Sequence, residues 1–248
     1  MGAWLLGPDH YFYGRSWTSL EAGKMYKGTL SLTHLTREPT KEAAAGSPPP
    51  LLLLLHGVGS NERDLMGLTP WLDGRFFVAS ARAPITLWRD AYGWFRFEFT
   101  PNGPVVVDPA EAMSSLQLIL SFMDELVEVY GVDSNRIYLM GFSQGTIMGL
   151  SVALTRPDKV AGIVAMSGRF PDAIRPQIAP SEKLQGLPIL LQHGTEDPVL
   201  PIRYGRAARE TLNSLPVRLE YHEYRMGHHV TQESLAHASA WLKTRLEE

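Results

Sequence analysis

The sequence predicts an α/β fold: a mostly parallel sheet with helices on both faces. Three observations carry this. Apolar runs at Leu51–Leu55, Phe76–Ala79, Ile137–Met140, Val160–Met166 and Pro188–Leu191 lack alternation, as strands buried on both faces do. Stretches of helical periodicity separate most of them, and that alternation is the mark of parallel strands joined by crossover helices. Finally, His56, Ser143, the segment after His193 and the Met226–His229 turn each follow directly on a strand. Ligands of such sheets bind beyond the carboxyl ends of the strands, so these segments should meet at one edge.

The 248 residues are read as one domain, with 44% hydrophobic residues to build its core. Net charge is −3 with neither sign segregated, so no nucleic-acid partner is expected. Absence of cysteine excludes a disulfide scaffold, a thiolate metal site and a cysteine nucleophile. The N-terminus lacks a basic n-region and a long apolar run, and Leu6 breaks the myristoylation pattern. No apolar run is long enough to span a bilayer. A soluble, cytoplasmic protein without stable membrane insertion is expected.

In chain order, residues 1–24 form an aromatic strap, and residues 25–35 alternate as an edge strand. Residues 38–50 are a polar Ala/Gly/Pro-rich connector, read as a flexible loop between two hairpin strands. After Leu51–Leu55, Ser60 or Asn61 is placed to cap a short helix leading to Trp71. Residues 82–104 form a long aromatic loop with no evident element of its own, a length that points to function. Asp108-Pro109-Ala-Glu111 starts a helix that runs to Tyr130 and is stopped by Gly131. Ile137–Met140 and the helix from Gln144 to Leu154 flank Gly141-Phe-Ser143-Gln-Gly145. Residues 169–186 are a Pro-rich excursion, read as a small lid. A helix over Leu200–Leu215, a half-exposed strand over Val217–Tyr224 and a helix over Thr231–Leu246 close the chain.

The chemistry centres on G-x-S-x-G between a strand and a helix. That context raises the serine hydroxyl at a strained turn and sets a helix N-terminus beside it. Serine needs a base. His228, in Met226-Gly-His228-His229, is favoured over His229. The orienting carboxylate is Asp197, favoured over Glu196 because Pro198 stiffens its turn. The resulting order, Ser143, Asp197, His228, is that of α/β-hydrolases. His56 and His193 are read as structural. No HExxH-type spacing occurs, so neither a metal nor a cofactor is expected. The oxyanion requires backbone donors: Gln144 after the nucleophile, and Val58 in the His56-Gly-Val-Gly59 loop.

Four segments carry a family resemblance: His56-Gly-x-Gly-x-Asn61-Glu62-x-Asp64-Leu65, Gly141-Phe-Ser-Gln-Gly145, His193-Gly-x-x-Asp197-Pro-x-x-Pro201 and Met226-Gly-His228-x-Val230. With these the chain resembles the carboxylesterase, acyl-protein thioesterase and lysophospholipase family of small α/β-hydrolases, and its Asn-Glu-x-Asp-Leu stretch resembles the bacterial carboxylesterase branch. The resemblance implies an α/β-hydrolase fold without a large cap domain. It also implies Ser143, Asp197 and His228 as triad, with Val58 and Gln144 as oxyanion donors. Thr146 departs from it, standing where many members have glycine. So do the long aromatic N-terminal segment and the second histidine, His229.

A serine carboxylesterase acting on short- to medium-chain acyl esters is therefore expected. Acyl-protein thioesterase or lysophospholipase activity is the alternative within the fold, and a catalytically silent binding module the alternative outside it. An open groove would be walled by Trp88, Trp94, Phe95, Phe97, Phe142, Phe170 and Leu200, and Trp94→Ala would then change chain-length preference. The expected partner is a small acyl ester, with a homodimer as a further option.

Overall fold

The computed structural model describes residues 30–41, 46–100, 103–106 and 109–248. The elements in chain order are β1 (His34–Arg37), β2 (Pro50–Leu55), α1 (Arg63–Met66), β3 (Phe77–Ala81), β4 (Ile85–Trp88), β5 (Ala91–Gly93), β6 (Phe97–Thr100), β7 (Gly103–Val106), α2 (Pro109–Tyr130), β8 (Asp133–Phe142), α3 (Gln144–Thr155), β9 (Gly162–Met166), α4 (Ser181–Leu184), β10 (Pro188–Gly194), α5 (Arg203–Asn213), β11 (Arg218–Tyr224) and α6 (Gln232–Glu247).

A seven-stranded sheet in the order β1-β3-β2-β8-β9-β10-β11 forms the centre. Every pairing in it is parallel except β1 with β3. The apolar run of β2 shows why. Successive side chains of a strand point to opposite faces. Leu51, Leu53 and Leu55 join α2, α3 and α5 in one core, whereas Leu52 and Leu54 pack with α1 and α6 in the other. All five leucines are fully buried, so neither face tolerates a polar residue. Gly131 ends α2 with a φ of 64°, a left-handed stop that glycine takes without strain. Thr231 caps α6, its hydroxyl accepting from the Ser234 N–H.

Several expectations change. Of the stretch at residues 25–35 only 30–35 are described, and there the strand begins at His34: β1 runs on to Arg37 and pairs with β3 at the sheet edge. β1 and β2 therefore form no hairpin: β3 lies between them, and residues 38–50 lead from the edge strand to an interior one. The stretch at 82–104 is not structureless. It folds as two antiparallel hairpins, β4–β5 and β6–β7. Their strands are only three or four residues long, too short for alternation to be read. Helix α1 begins after Glu62 without a side-chain cap, and Asn61 Oδ1 accepts from the Arg63 N–H instead. Leu200 and Pro201 precede α5 rather than opening it. The 169–186 excursion carries a 3-10 turn at Asp172–Gln177 and then α4. The aromatic strap at 1–24, residues 25–29 of the expected edge strand, residues 42–45 of the connector and Asp108 lie outside the described residues.

Candidate active site

The C-terminal end of β8 runs into α3 through Ser143, whose φ of 54° and ψ of −113° lie where L-residues are strained. The turn is possible because its neighbours carry no Cβ. A Cβ on Gly141 would lie 2.5 Å from the Gly145 carbonyl oxygen. One on Gly145 would overlap the Leu55 carbonyl oxygen of β2. The start of α3 thus presses directly on the ends of β2 and β8. The Ser143 N–H donates to Met166 O at 2.9 Å, tying the turn to β9. Thr146 strengthens the tie, its Oγ1 sitting 2.8 Å from Gly141 O and 2.7 Å from Met166 O. The departure at position 146 has a partner: a Cβ on Gly168 would meet the Thr146 side chain at 2.3 Å.

Ser143 Oγ lies 3.0 Å from His228 Nε2, and His228 Nδ1 lies 2.7 Å from Asp197 Oδ2. A carboxylate only accepts, so Nδ1 carries the imidazole proton and Nε2 is left to accept from the serine hydroxyl. The other carboxylate oxygen of Asp197 accepts the N–H groups of Val199 at 2.9 Å and Leu200 at 2.8 Å. Burial pushes the Asp197 carboxyl up, but the His228 hydrogen bond and charge and the two N–H donors outweigh it, holding the group below the usual carboxylate range. Asp197 is thus ionised at neutral pH. Glu196 instead pairs with Arg225 at the surface. His229 makes no contact with Ser143 among the described residues, and burial lowers its pKa.

The loop after β2 stands against this serine. A Cβ on Gly57 would lie 3.4 Å from the Ser143 Cβ and 3.2 Å from the Phe142 ring. Among the described residues, neither the Val58 N–H nor the Gln144 N–H donates to a protein acceptor. Gln144 is the first residue of α3, where helix N–H groups lack intrahelical partners. The loop is fixed from behind. The Gly59 N–H donates to Tyr92 O at 2.8 Å, and the Tyr92 N–H donates to Ser60 O at 2.9 Å. Fully buried Glu62 receives the Arg82 guanidinium through two hydrogen bonds of 2.7 Å. Ser60 Oγ donates to Asp64 at 2.5 Å. The Asn-Glu-x-Asp motif therefore shapes this loop rather than facing a ligand.

Two side chains have positions the sequence did not disclose. Gln144 accepts from Trp94 N and donates to Phe95 O, both at 2.7 Å, bracing the hairpin segment against α3. His193, fully buried, donates from Nε2 to Leu200 O at 2.7 Å and steadies the loop that presents Asp197. A histidine near the end of β10, four residues before the candidate acid, is a faint signal for that position. His56 is structural as expected. Its Nδ1–H donates to Gly57 O, and its Nε2 accepts from Ala83 N.

Burial lowers the His56 pKa to about 4, against weaker raising effects of the Gly57 carbonyl and Glu62. The unfolded chain binds a proton here below about pH 6.5 and the folded chain does not. The His56 contribution to stability is complete above that pH and is lost as pH falls towards 4, by on the order of 3 kcal/mol. Urea unfolding at pH 4.5 and 7 should show this loss, and His56→Gln should flatten the dependence.

The proposed groove walls separate into groups. Trp94 is fully buried with its indole N–H donating to His56 O at 3.0 Å, and Phe95 is 2% exposed. Both are core residues, not walls, because α2 and the β2 loop close over them. Phe142 is buried with its ring 4.9 Å from that of His228, a support beneath that imidazole. Phe170 is buried under the Arg175 guanidinium, and Leu200 holds Asp197 through its backbone. Trp88 is 63% exposed and its indole covers Gly59. The Phe97 side chain lies outside what is described.

Known proteins resemble this chain along most of its length. Residues 39–246 match the sequence profile of the phospholipase/carboxylesterase family of α/β-hydrolases. Acyl-protein thioesterase 1 of Kluyveromyces lactis is 35% identical over 119 residues, 47% of this chain and 51% of that relative, so the match spans about half its length. Acyl-protein thioesterase 1 of Eremothecium gossypii is 26% identical over 231 residues, 84% of this chain and 94% of that protein. The carboxylesterase of Mesorhizobium loti superposes with a TM-score of 0.73 at 19% identity, covering 90% of this chain and 99% of the other, a likeness of fold. The chain belongs to the phospholipase/carboxylesterase family of hydrolases.

Proposed function

We propose that the protein is a serine carboxylesterase that cleaves short- to medium-chain acyl esters through an acyl-enzyme on Ser143. The observation that carries this reading is the unbroken line from Ser143 Oγ through His228 to buried, ionised Asp197. His228 Nε2 takes the serine proton as Oγ forms its bond to the acyl carbonyl carbon. The oxyanion is stabilised by the Val58 and Gln144 N–H groups. His228 then delivers the proton to the leaving alcohol as its C–O bond breaks. Water, deprotonated by the same imidazole, attacks the acyl carbon and releases the acid and free Ser143. Asp197 holds the tautomer this requires and offsets the charge that appears on His228.

Thioesters are the second reading, because the curated relatives quoted above are acyl-protein thioesterases. A thiolate leaves more readily than an alkoxide, so the same groups serve either substrate. A silent binding module is disfavoured by the complete set of Ser143, His228, Asp197 and unoccupied N–H donors. Trp88 is the wall that faces outward beside the oxyanion loop. Hydrolysis of p-nitrophenyl esters from acetate to palmitate, beside a palmitoyl thioester, tests both readings. Turnover of the short esters is expected, with Trp88→Ala lowering kcat/KM for the longer chains and leaving acetate nearly unchanged. No hydrolysis of any ester or thioester by folded protein would remove the proposal, and equal losses at every length would remove Trp88 from the groove.

A further inference from the structure

We propose that Glu220, His222 and His237 form a binding site for one divalent transition-metal ion of the Zn2+ type, away from the Ser143 line. Glu220 and His222 project from the same face of β11, two residues apart, and His237 comes from α6. Among the described residues this is the one group of three His, Cys, Asp or Glu side chains whose ligand atoms all lie within 4.8 Å of one another. Glu220 Oε1 is 2.9 Å from His222 Nε2 and 3.0 Å from His237 Nε2, and the two rings sit 4.0 Å apart. Tetrahedral Zn2+ with ligands at 2.0–2.2 Å separates donor atoms by about 3.3–3.6 Å. Small side-chain rotations accommodate that, and each side chain is between about a third and a half exposed, open to an ion from solvent.

Two imidazoles and one carboxylate suit a borderline-soft ion, with water at the remaining position. The second layer is present as well. His237 Nδ1 lies 2.9 Å from the Tyr224 hydroxyl, which accepts from Gln192 Nε2 at 2.8 Å. At present both Nε2–H groups donate to Glu220. When the ion takes the Nε2 lone pairs, each ring proton moves to Nδ1, and His237 Nδ1–H donates to Tyr224. Metal-bound histidine is held in this manner. The ion ties β11 to α6, the two elements that bracket the turn carrying His228. Its contribution is therefore to stability and not to a reaction step.

Isothermal titration of the full chain with ZnCl2 at pH 7.5 is expected to give one saturable site per molecule. At about a hundredfold excess over Kd the Tm should rise by about 5 °C or more. Glu220→Gln and His237→Gln are expected to abolish the binding and the Tm rise, Tyr224→Phe to weaken it about tenfold, and His229→Asn to leave both unchanged. If a variant fails to fold, the wild type still decides: Zn2+ should shift the ring 15N resonances of His222 and His237. Absence of saturable binding, ring shifts confined to His228 and His229, or binding that survives Glu220→Gln and His237→Gln would overturn the assignment.

Discussion

Ser143→Ala is expected to lower kcat/KM on activated esters by about five to six orders of magnitude while leaving the fold intact. Among the described residues the hydroxyl makes one hydrogen bond, to His228, and its removal takes away a single oxygen. In the proposed mechanism the atom that disappears is the one that forms the covalent bond, leaving only the oxyanion donors and substrate binding to sustain turnover. His228→Ala should cost a similar factor, and the double variant should be no worse than either single one, because a nucleophile and its base, the roles proposed for these two residues, act as a unit. Steady-state kinetics on p-nitrophenyl butyrate reads all three. An additive double variant would mean that the two residues work independently, and the proton path from Ser143 to His228 would be wrong.

Gly145→Ala is expected to have the largest effect on stability, about 4 kcal/mol or more. The new methyl would overlap the Leu55 carbonyl oxygen and lie 2.8 Å from His56 O. Flexible side chains can yield to an inserted methyl, but these are backbone atoms in the centre of the sheet. Overpacking commonly costs about 1–3 kcal/mol, and a clash with backbone belongs to its upper tail. Either α3 lifts off β2 and the Ser143 turn is lost, or the chain does not fold. Urea denaturation with circular dichroism measures the loss. A change below about 1 kcal/mol would show that α3 can shift away from β2 without harm.

The interior strands were legible because both faces of each are buried, which makes continuous apolar runs such as Leu51–Leu55. Residues brought to one edge were legible for a related reason: parallel strands all end on the same side. Ser143, Asp197 and His228 follow β8, β10 and β11 and meet as the topology requires. The β4–β5 and β6–β7 hairpins were not legible, since strands this short have no periodicity. The hairpin drawn between β1 and β2 failed because neighbours in sequence are not always neighbours in a sheet, and β3 intrudes. Trp94 misled for a chemical reason. An aromatic loop residue can serve a groove or a core, and only its indole bond to His56 O decides.

The proposed mechanism turns on a covalent acyl group on Ser143. Intact-protein mass spectrometry after rapid mixing with a p-nitrophenyl ester, followed by acid quench and peptide mapping, tests it most directly. One added acyl mass per chain is expected, located on the peptide that contains Ser143 and absent from Ser143→Ala. An acyl mass on another residue, or hydrolysis that proceeds at full rate in Ser143→Ala, would contradict it.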